Sequence, residues 1–224
     1  MIKIDRVELA ARNEDLRLSA PFRISGHVFE VSPVTLVTLR NGRVSGRGEA
    51  AGVYYNHDMP SKMLQTIEQL RDLLEDGVDR QELRALLPPG GARNAVDCAL
   101  WELEARIAGV PAWQLGGMDA PRPLLTTFTV GADDPGVMAE RARAYTHARA
   151  IKLKLTGEVE LDIERLRAVR KARPDVWIGV DANQGYAPDT LSRLLPALVD
   201  QGVSLLEQPC LRGFGSDLAD VDRG

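Results

Sequence analysis

The sequence has few of the residues that mark a secreted or zinc-binding protein. Its 224 residues contain only two cysteines, Cys98 and Cys210, and three histidines that share no ligand spacing. This excludes a disulfide scaffold and a cysteine zinc site and is typical of a reducing compartment. No apolar run reaches the roughly 18 residues of a membrane span, and the charged N-terminus MIKIDRVELAARNED is unlike a signal peptide. We therefore expect a cytoplasmic protein.

An excess of positive charge is also missing. The chain has 28 Lys+Arg against 32 Asp+Glu, for a net charge of −4. Proteins that bind nucleic acid or anionic membranes usually carry a basic patch, so we expect neither partner. Hydrophobic residues make up 44% and charged residues 27%, which is ordinary for a globular protein with a sizeable core.

The first half of the chain changes from a strand pattern to a helix pattern. PVTLVTLR (33–40) is β-branched and alternating, and the following Asn41-Gly42 favours a hairpin because both positions accept positive φ. Apolar residues then recur at helical spacing over 61–74 and 93–108. A sheet followed by helices predicts an α+β domain over residues 1–121.

Strand and helix patterns alternate over residues 122–224. Strand-like runs occupy 124–130, 150–155, 176–183 and 203–209. Lys154, Asp181 and Glu207 stand at equivalent points of successive repeats, 27 and 26 residues apart. Repeats of this length predict parallel strands with right-handed crossovers, in a barrel or an open doubly wound sheet. Polar residues at the carboxyl ends of successive strands favour the barrel.

The second half is too short for a closed barrel. A complete (β/α)8 barrel takes about 250 residues, whereas residues 122–224 provide a pattern for four strands. The sequence therefore predicts only the first part of a barrel. Because the open edges of such a sheet expose unpaired backbone groups, we expect the chain to associate as a homo-oligomer.

Two lysines alternate along the second predicted strand of this half. Lys152 and Lys154 should face one side of the sheet, with Ile151, Leu153 and Leu155 on the other. Neighbouring ammonium groups repel, and burial disfavours the charged amine, so we expect the lysine pKa values to fall toward those of a general base. For an isolated Lys-x-Lys pair the alternative is a solvated edge strand.

Two carboxylates end the next two predicted strands. Asp181 and Glu207 each follow an apolar run and precede a loop. Carboxylates at neighbouring strand ends converge, and hard oxygen ligands select Mg²⁺ or Mn²⁺. Taken singly, each carboxylate could equally be a helix N-cap or a lysine partner. The order of lysine, carboxylate and carboxylate, one strand–helix unit apart, favours a catalytic site.

Several motifs resemble one known family. They are PFRIS (21–25), RGEA (47–50), ALWELEARIAGVPAWQLGG (99–117), IKLKL (151–155), VDANQGY (180–186) and LLEQP (205–209). With them the chain resembles the enolase superfamily, and within it the muconate-lactonizing subgroup that includes dipeptide epimerases and N-acylamino acid racemases. The resemblance spans essentially the whole chain. It implies an α/β fold, a (β/α)7β TIM-like barrel after an α+β capping domain, with about the first four barrel strands present.

The resemblance implies removal of the proton α to a carboxylate, giving an enediolate held by Mg²⁺ (or Mn²⁺). By position, Lys154 would be the base, and Lys152 would tune it or neutralise the enolate. Asp181 and Glu207 would be metal ligands, with Asn183 alongside. A divalent cation stabilises charge that develops on enolate oxygens, which is the main obstacle to removing such a proton.

Two parts of the family's site fall beyond the fourth strand. The family takes its third metal carboxylate from the fifth strand and the lysine for the opposite substrate face from the sixth. The 224 residues end before either strand. The resemblance therefore implies a truncated chain, and we do not expect these residues alone to turn over substrate.

The resemblance also indicates where the substrate would bind. Two cap loops largely set specificity in that family, and they correspond here to about 19–27 and 51–58. Arg23 is a candidate partner for a substrate carboxylate, or a solvated loop residue. Tyr54 is a candidate wall of the pocket, and Thr127 lies in a stretch that resembles the first barrel strand of the epimerases. We expect a small carboxylate substrate such as a dipeptide.

We therefore predict a Mg²⁺-dependent epimerase or racemase acting on dipeptides or N-acyl amino acids. Within the same chemistry, muconate-type cycloisomerisation and dehydration of a sugar acid or an o-succinylbenzoate precursor are the alternatives. A truncated, non-catalytic remnant that serves only in assembly is an alternative of another class. A Schiff-base aldolase using Lys152 or Lys154 is a further one.

Overall fold

The computed structural model describes residues 4–218. It gives the backbone but no side-chain description at Tyr54, Ser216 and Asp217. Two compact units make up the chain, the first comprising the chain up to Leu18 with Val31–Arg122, the second Ser19–Glu30 with the chain from Pro123. The turn between the first two strands therefore belongs to the same unit as the second half of the chain.

The first unit is built on an antiparallel sheet and a set of helices. The strands are β1 (Glu8–Ile24), β2 (His27–Asn41) and β3 (Val44–Ala50), and the helices are α1 (Pro60–Gln69), α2 (Arg71–Glu75), α3 (Arg80–Leu86), α4 (Gly91–Ala108) and α5 (Ala112–Leu115). The sheet order is β1-β2-β3. The predicted hairpin is confirmed, because Asn41 pairs with Val44 and Gly42 has a φ of 59°.

Helix α4 packs directly on β3 through two glycines. A Cβ atom added at Gly48 would lie 1.9 Å from the carbonyl oxygen of Ala95, and one added at Gly46 would lie 2.1 Å from that of Ala99. The predicted helix over 93–108 is confirmed as α4. The strand and the helix backbone approach this closely only because both strand positions lack a side chain.

The helix predicted over 61–74 is interrupted at Leu70, so a single helix was the wrong prediction there. Arg71 Nη1 donates to the carbonyl oxygen of Leu9, and the Val7 N–H donates to the carbonyl of Glu75. These bonds tie α2 to the chain at and just before β1. They show how tertiary contacts override an uninterrupted apolar spacing.

The second unit alternates strands and helices, as predicted. Its elements are β4 (Phe128–Val130), α6 (Pro135–Ala144), β5 (Ala150–Lys154), α7 (Val159–Ala172), β6 (Trp177–Asp181), α8 (Pro188–Asp200) and β7 (Val203–Glu207). The strands are parallel, in the order β4-β5-β6-β7. None of the helices in the described range is long and apolar enough to cross a membrane.

Strand β4 is shorter than the apolar run that predicted it. The run covers 124–130, but only Phe128–Val130 is strand, and Leu124 is 89% exposed. Phe128 pairs with Ile151, the second residue of β5. Because β5 begins only one residue earlier, the segment before Phe128 has almost no strand beside it to pair with.

One face of β5 packs into the hydrophobic core of the second unit. Ile151, Leu153 and Leu155 are fully buried within it, so the predicted alternation is confirmed and the two lysines occupy the other face. The pairing of β6 and β7 contains a bulge: Ile178 pairs with Val203, but the next residue, Gly179, pairs with Leu205.

Candidate active site

Three polar residues align at the carboxyl ends of β5, β6 and β7. Lys154 pairs in register with Asp181, and Asp181 pairs with Glu207. The repeat spacing predicted this alignment, since parallel strands joined by similar crossovers begin and end at similar levels. The residues therefore form one row across the sheet.

The side chains of this row form ion pairs with one another and with Lys152. Lys154 Nζ donates to Asp181 Oδ2 at 2.5 Å. Lys152 Nζ lies 2.8 Å from Glu207 Oε2 and 3.5 Å from Asp181 Oδ2. Asp181 and Lys154 are buried, whereas the Glu207 side chain remains 42% exposed. Both lysines thus have a carboxylate oxygen within hydrogen-bond distance.

The expected fall in lysine pKa is wrong for Lys152. Burial lowers the pKa of Lys152, but the hydrogen bond and charge of Glu207, together with Asp181, outweigh burial and raise it overall. Carboxylate oxygens lie within 3.5 Å of this ammonium, so attraction decides the sign. The alternation of residues could place two lysines on one face but could not show which charge each would meet.

The carboxylate oxygens at this site are the type of ligand that a hard divalent cation prefers. Asp181 and Glu207 present carboxylates from adjacent strands, and such ligands suit Mg²⁺. The Asn183 N–H donates to Asp181 Oδ1 at 3.0 Å, while Asn183 Oδ1 is buried without a hydrogen-bond partner in the described residues. Within residues 4–218 no three His, Cys, Asp or Glu side chains cluster closely enough to hold a metal. The site therefore offers two carboxylates, and an unsatisfied amide oxygen lies beside one of them.

The last residues of β1, which belong to the second unit, lie against this end of the parallel sheet. The Ala132 N–H donates to the carbonyl oxygen of Arg23 at 3.0 Å. The Phe22 ring centroid lies 5.9 Å from Lys154 Nζ. A Cβ atom on Gly131 would come within 3.2 Å of the Phe22 ring, so a glycine there permits the close approach. Arg23 is thereby held near the row of charged residues.

A polar cavity of about 670 Å³ opens beside Arg23. The turn after β1 and the loops after β4 and β5 line it. Two of its charged groups are already paired: Arg165 bonds Asp162, and Asp133 bonds Arg141. The exposed Arg23 guanidinium has no hydrogen-bond or ion-pair partner among the described residues. It is therefore available to an anion in the cavity.

Thr127 and Tyr54 were also predicted to bind substrate. Thr127 is exposed and precedes β4. Two residues further on, Thr129 pairs in register with Lys152, and strand alternation in TTFTV was the signal that could have selected it. The Tyr54 side chain lies outside the described residues, and its neighbour Tyr55 in the first unit is 45% exposed.

Comparison with known families shows to which protein family the chain belongs. Residues 6–117 match the mandelate racemase / muconate lactonizing enzyme N-terminal domain, and residues 137–223 match the enolase C-terminal domain-like family. The chain belongs to the enolase superfamily, in its muconate-lactonizing subgroup. The resemblance that the sequence motifs indicated is confirmed.

Two relatives that the chain matches are named as epimerases. The chain is 35% identical over 192 residues to the L-Ala-D/L-Glu epimerase of Escherichia coli K12, covering 86% of this chain and 60% of that protein. It is 32% identical over 218 residues to a hydrophobic dipeptide epimerase of Roseobacter litoralis, covering 92% and 62%. The chain thus spans about three-fifths of the length of these relatives.

Solved structures of the superfamily share the fold. An Agrobacterium tumefaciens enolase family member with homology to dipeptide epimerases superimposes with a TM-score of 0.87 at 34% identity, covering 97% of this chain and 66% of that one. A dipeptide epimerase from Methylococcus capsulatus, complexed with Mg and L-Arg-D-Lys, gives 0.88 at 27%, covering 98% and 65%. The predicted fold class, a capping domain and part of a TIM-like barrel, is confirmed.

Proposed function

We propose that this protein is a divalent-metal-dependent epimerase or racemase. It removes the proton α to the carboxylate of a dipeptide or an N-acyl amino acid. The observation that carries this function is the row formed by Lys154, Asp181 and Glu207 in register across three parallel strands. The relatives named as dipeptide epimerases support it. Because the chain spans only part of their length, the proposal concerns the whole protein.

Lys154 is the proposed base. Its amine nitrogen takes the proton from the substrate Cα, and the electron pair of that C–H bond moves into the carboxylate to give an enediolate. Returning a proton to the opposite face inverts the centre, which requires a donor other than Lys154. Burial of Lys154 suits this role because it removes water that would compete for the amine.

Lys152 is proposed to stabilise charge rather than to move the proton. Its ammonium lies between Glu207 and Asp181, so the site holds it in the charged form. An ammonium in a fixed position can stabilise the negative charge that grows on the substrate carboxylate as the proton leaves. Lys152 and Lys154 then have different roles although they share one face.

Asp181 and Glu207 are the proposed ligands of Mg²⁺ or Mn²⁺, and Asn183 lies alongside them. When bound, the cation supplies Lewis-acid stabilisation of the substrate carboxylate. The buried carboxylate of Asp181 is oriented by the Asn183 N–H and by Lys154. These bonds hold the carboxylate in place before any ligand binds.

Changing Asp181 to asparagine should weaken Mn²⁺ binding by about 10- to 100-fold, since an anionic ligand is replaced by a neutral one. Isothermal titration with Mn²⁺ measures this directly. Asp175→Asn is the matched control, because Asp175 is an exposed carboxylate of the same unit that pairs with Arg173. Equal Mn²⁺ affinity in the wild type and Asp181→Asn would contradict the ligand assignment.

Arg23 is proposed to bind a carboxylate on the substrate's side chain. Arg23→Ala should raise KM for L-Ala-L-Glu by about 10-fold, the size of a lost charge-assisted hydrogen bond. KM for L-Ala-L-Leu, which lacks that carboxylate, should change little. Steady-state kinetics with both dipeptides measures the difference. No change in either KM would return Arg23 to the interpretation of a solvated residue, and an equal rise in both would contradict recognition of the side-chain carboxylate.

Deuterium exchange tests the reaction class itself. The purified protein is incubated in D₂O with Mg²⁺ and a panel of dipeptides and N-acyl amino acids, and the α-proton signal is followed by NMR. An epimerase replaces this proton and returns isomers of unchanged connectivity. A cycloisomerase changes connectivity, and a dehydratase releases water. No exchange with any member of the panel would contradict the proposed function.

A further inference from the structure

A buried carboxylate links the two loops that follow β5 and β6. Asp162, in the first turn of α7, is fully buried. It accepts hydrogen bonds from the backbone N–H groups of Thr156 and Gly157, from the Tyr186 hydroxyl at 2.6 Å and from Arg165 Nη1 at 2.7 Å. Thr156 and Gly157 belong to the loop after β5, and Tyr186 belongs to the loop after β6.

The same bonded network reaches the loops after the two outer strands. Arg165 Nε donates to the carbonyl oxygen of Asp133, after β4, at 2.7 Å. The backbone N–H of Tyr186 donates to the carbonyl oxygen of Pro209, after β7, at 3.0 Å. A continuous chain of hydrogen bonds thus joins the carboxyl-end loops of all four parallel strands.

Direct backbone contact limits how the central two loops can be spaced. Gly157 has a φ of 91°, and a Cβ atom there would lie 2.2 Å from the carbonyl oxygen of Gly185. The two loops therefore touch without an intervening side chain. The hydrogen bond between Asp162 and Tyr186 also links these two loops, through buried side chains.

Stability alone does not account for a buried ion pair at this place. A buried pair of charges is often no more stabilising than apolar residues of the same volume, whereas a fully bonded polar network favours one arrangement over others. Tyr186 is itself 1% exposed, and burial followed by the Asp162 hydrogen bond raises its pKa, so the hydroxyl stays a donor. The network lies at the strand ends that carry the reactive residues.

We propose that Asp162 and Tyr186 are positioning residues for the proton transfer. They hold the loops after β5 and β6 at the spacing that sets Lys154 against Asp181. Thr156 lies two residues after Lys154, and Tyr186 five residues after Asp181, so movement of either loop shifts its strand end. The inference rests on the proposed function, because it assigns these residues a part in that reaction.

Two conservative variants and two matched controls test the proposal. Tyr186→Phe removes one hydroxyl, and Asp162→Asn removes the charge but keeps the shape. Thr35→Val removes a buried hydroxyl from the first unit, where Thr35 Oγ1 lies 2.9 Å from Asn13 Oδ1 and 3.1 Å from the carbonyl oxygen of Pro60. Glu104→Gln neutralises a buried carboxylate that pairs with Arg80. Urea unfolding of all four variants shows whether each control loses as much stability as its counterpart.

The expected result is a loss in kcat without a matching loss in binding. Tyr186→Phe and Asp162→Asn should lower kcat for α-proton exchange on L-Ala-L-Glu by about 10- to 100-fold, with KM changed less than about threefold. Thr35→Val and Glu104→Gln should keep kcat within about twofold. Equal kcat losses in variants and controls of equal stability would overturn the positioning role.

Amide hydrogen exchange separates this inference from the proposed function. In Tyr186→Phe, mass spectrometry should show faster exchange in both loops, 155–158 and 182–187, by about 10-fold or more, because opening either loop frees both. Loosening of 182–187 alone, or of neither loop, would overturn the coupling. A wild type that exchanges no substrate proton would contradict the proposed function, while this readout still decides whether Asp162 and Tyr186 couple the loops.

Discussion

Replacing Lys154 with arginine should lower α-proton exchange on one substrate face by about 100- to 10,000-fold, the usual contribution of a positioned general base. A guanidinium keeps the positive charge beside Asp181, so the buried carboxylate retains a partner and the fold is preserved. It cannot be deprotonated in a protein, so it cannot accept the substrate proton. NMR in D₂O on each substrate stereoisomer measures the two faces separately.

Lys154→Ala is the second variant at this position. Its stability to unfolding is measured together with its activity. Alanine leaves the carboxylate of Asp181, which is 2% exposed, with fewer partners, and this can lower stability as well as activity. Lys171→Ala is the control, because Lys171 is an exposed lysine on α7. Exchange that persists on both faces in the folded arginine variant would refute the assignment of Lys154 as the base.

Gly48→Ala should lower the free energy of unfolding by about 3 kcal/mol or more, since overpacking against rigid backbone is among the larger single-residue effects. The added Cβ would lie 1.9 Å from the Ala95 carbonyl oxygen and 2.8 Å from the Ala99 nitrogen. Neither atom can move without shifting helix α4. Strand β3 and α4 must therefore separate, and urea unfolding followed by circular dichroism measures the loss.

Gly136→Ala is the matched control for this substitution. Gly136 lies in α6, and a Cβ atom there would have nothing within 4 Å. Alanine in a helix is about 0.5–1 kcal/mol more favourable than glycine, so this variant should be as stable as the wild type or more stable. If Gly48→Ala also unfolded like the wild type, β3 and α4 could not lie as close together as described.

The strands of the second unit were predictable because their apolar runs recur at a nearly constant interval. That interval also placed Lys154, Asp181 and Glu207 at one level. Helix α3 was missed, although its sequence carries a capping signal: Asp79 accepts from the Glu82 N–H, and the Glu82 side chain accepts from the Asp79 N–H. The signal spans only four residues, and no long apolar stripe follows it.

The network around Asp162 was not predictable from the sequence. Asp162 stands among charged residues at the start of an amphipathic helix, where a solvated position is the ordinary interpretation. In the structure it is fully buried and accepts a hydrogen bond from Tyr186, 24 residues further along the chain. No local periodicity encodes such a pairing. The raised pKa of Lys152 was missed for the same reason, since its sign depends on side-chain distances across strands.

The bulge between β6 and β7 has a consequence for the evolution of the site. If β7 kept all its residues and paired with β6 without the bulge from the Ile178–Val203 pair onward, Leu206 in place of Glu207 would stand beside Asp181. Because side chains alternate along a strand, a slip of one residue sends each of them to the opposite face. The bulge, which takes up one extra residue of β7, therefore sets a carboxylate rather than a leucine beside Asp181. Lineages that keep the chemistry must therefore keep the bulge, or lose the one residue that it takes up, as well as keep the glutamate.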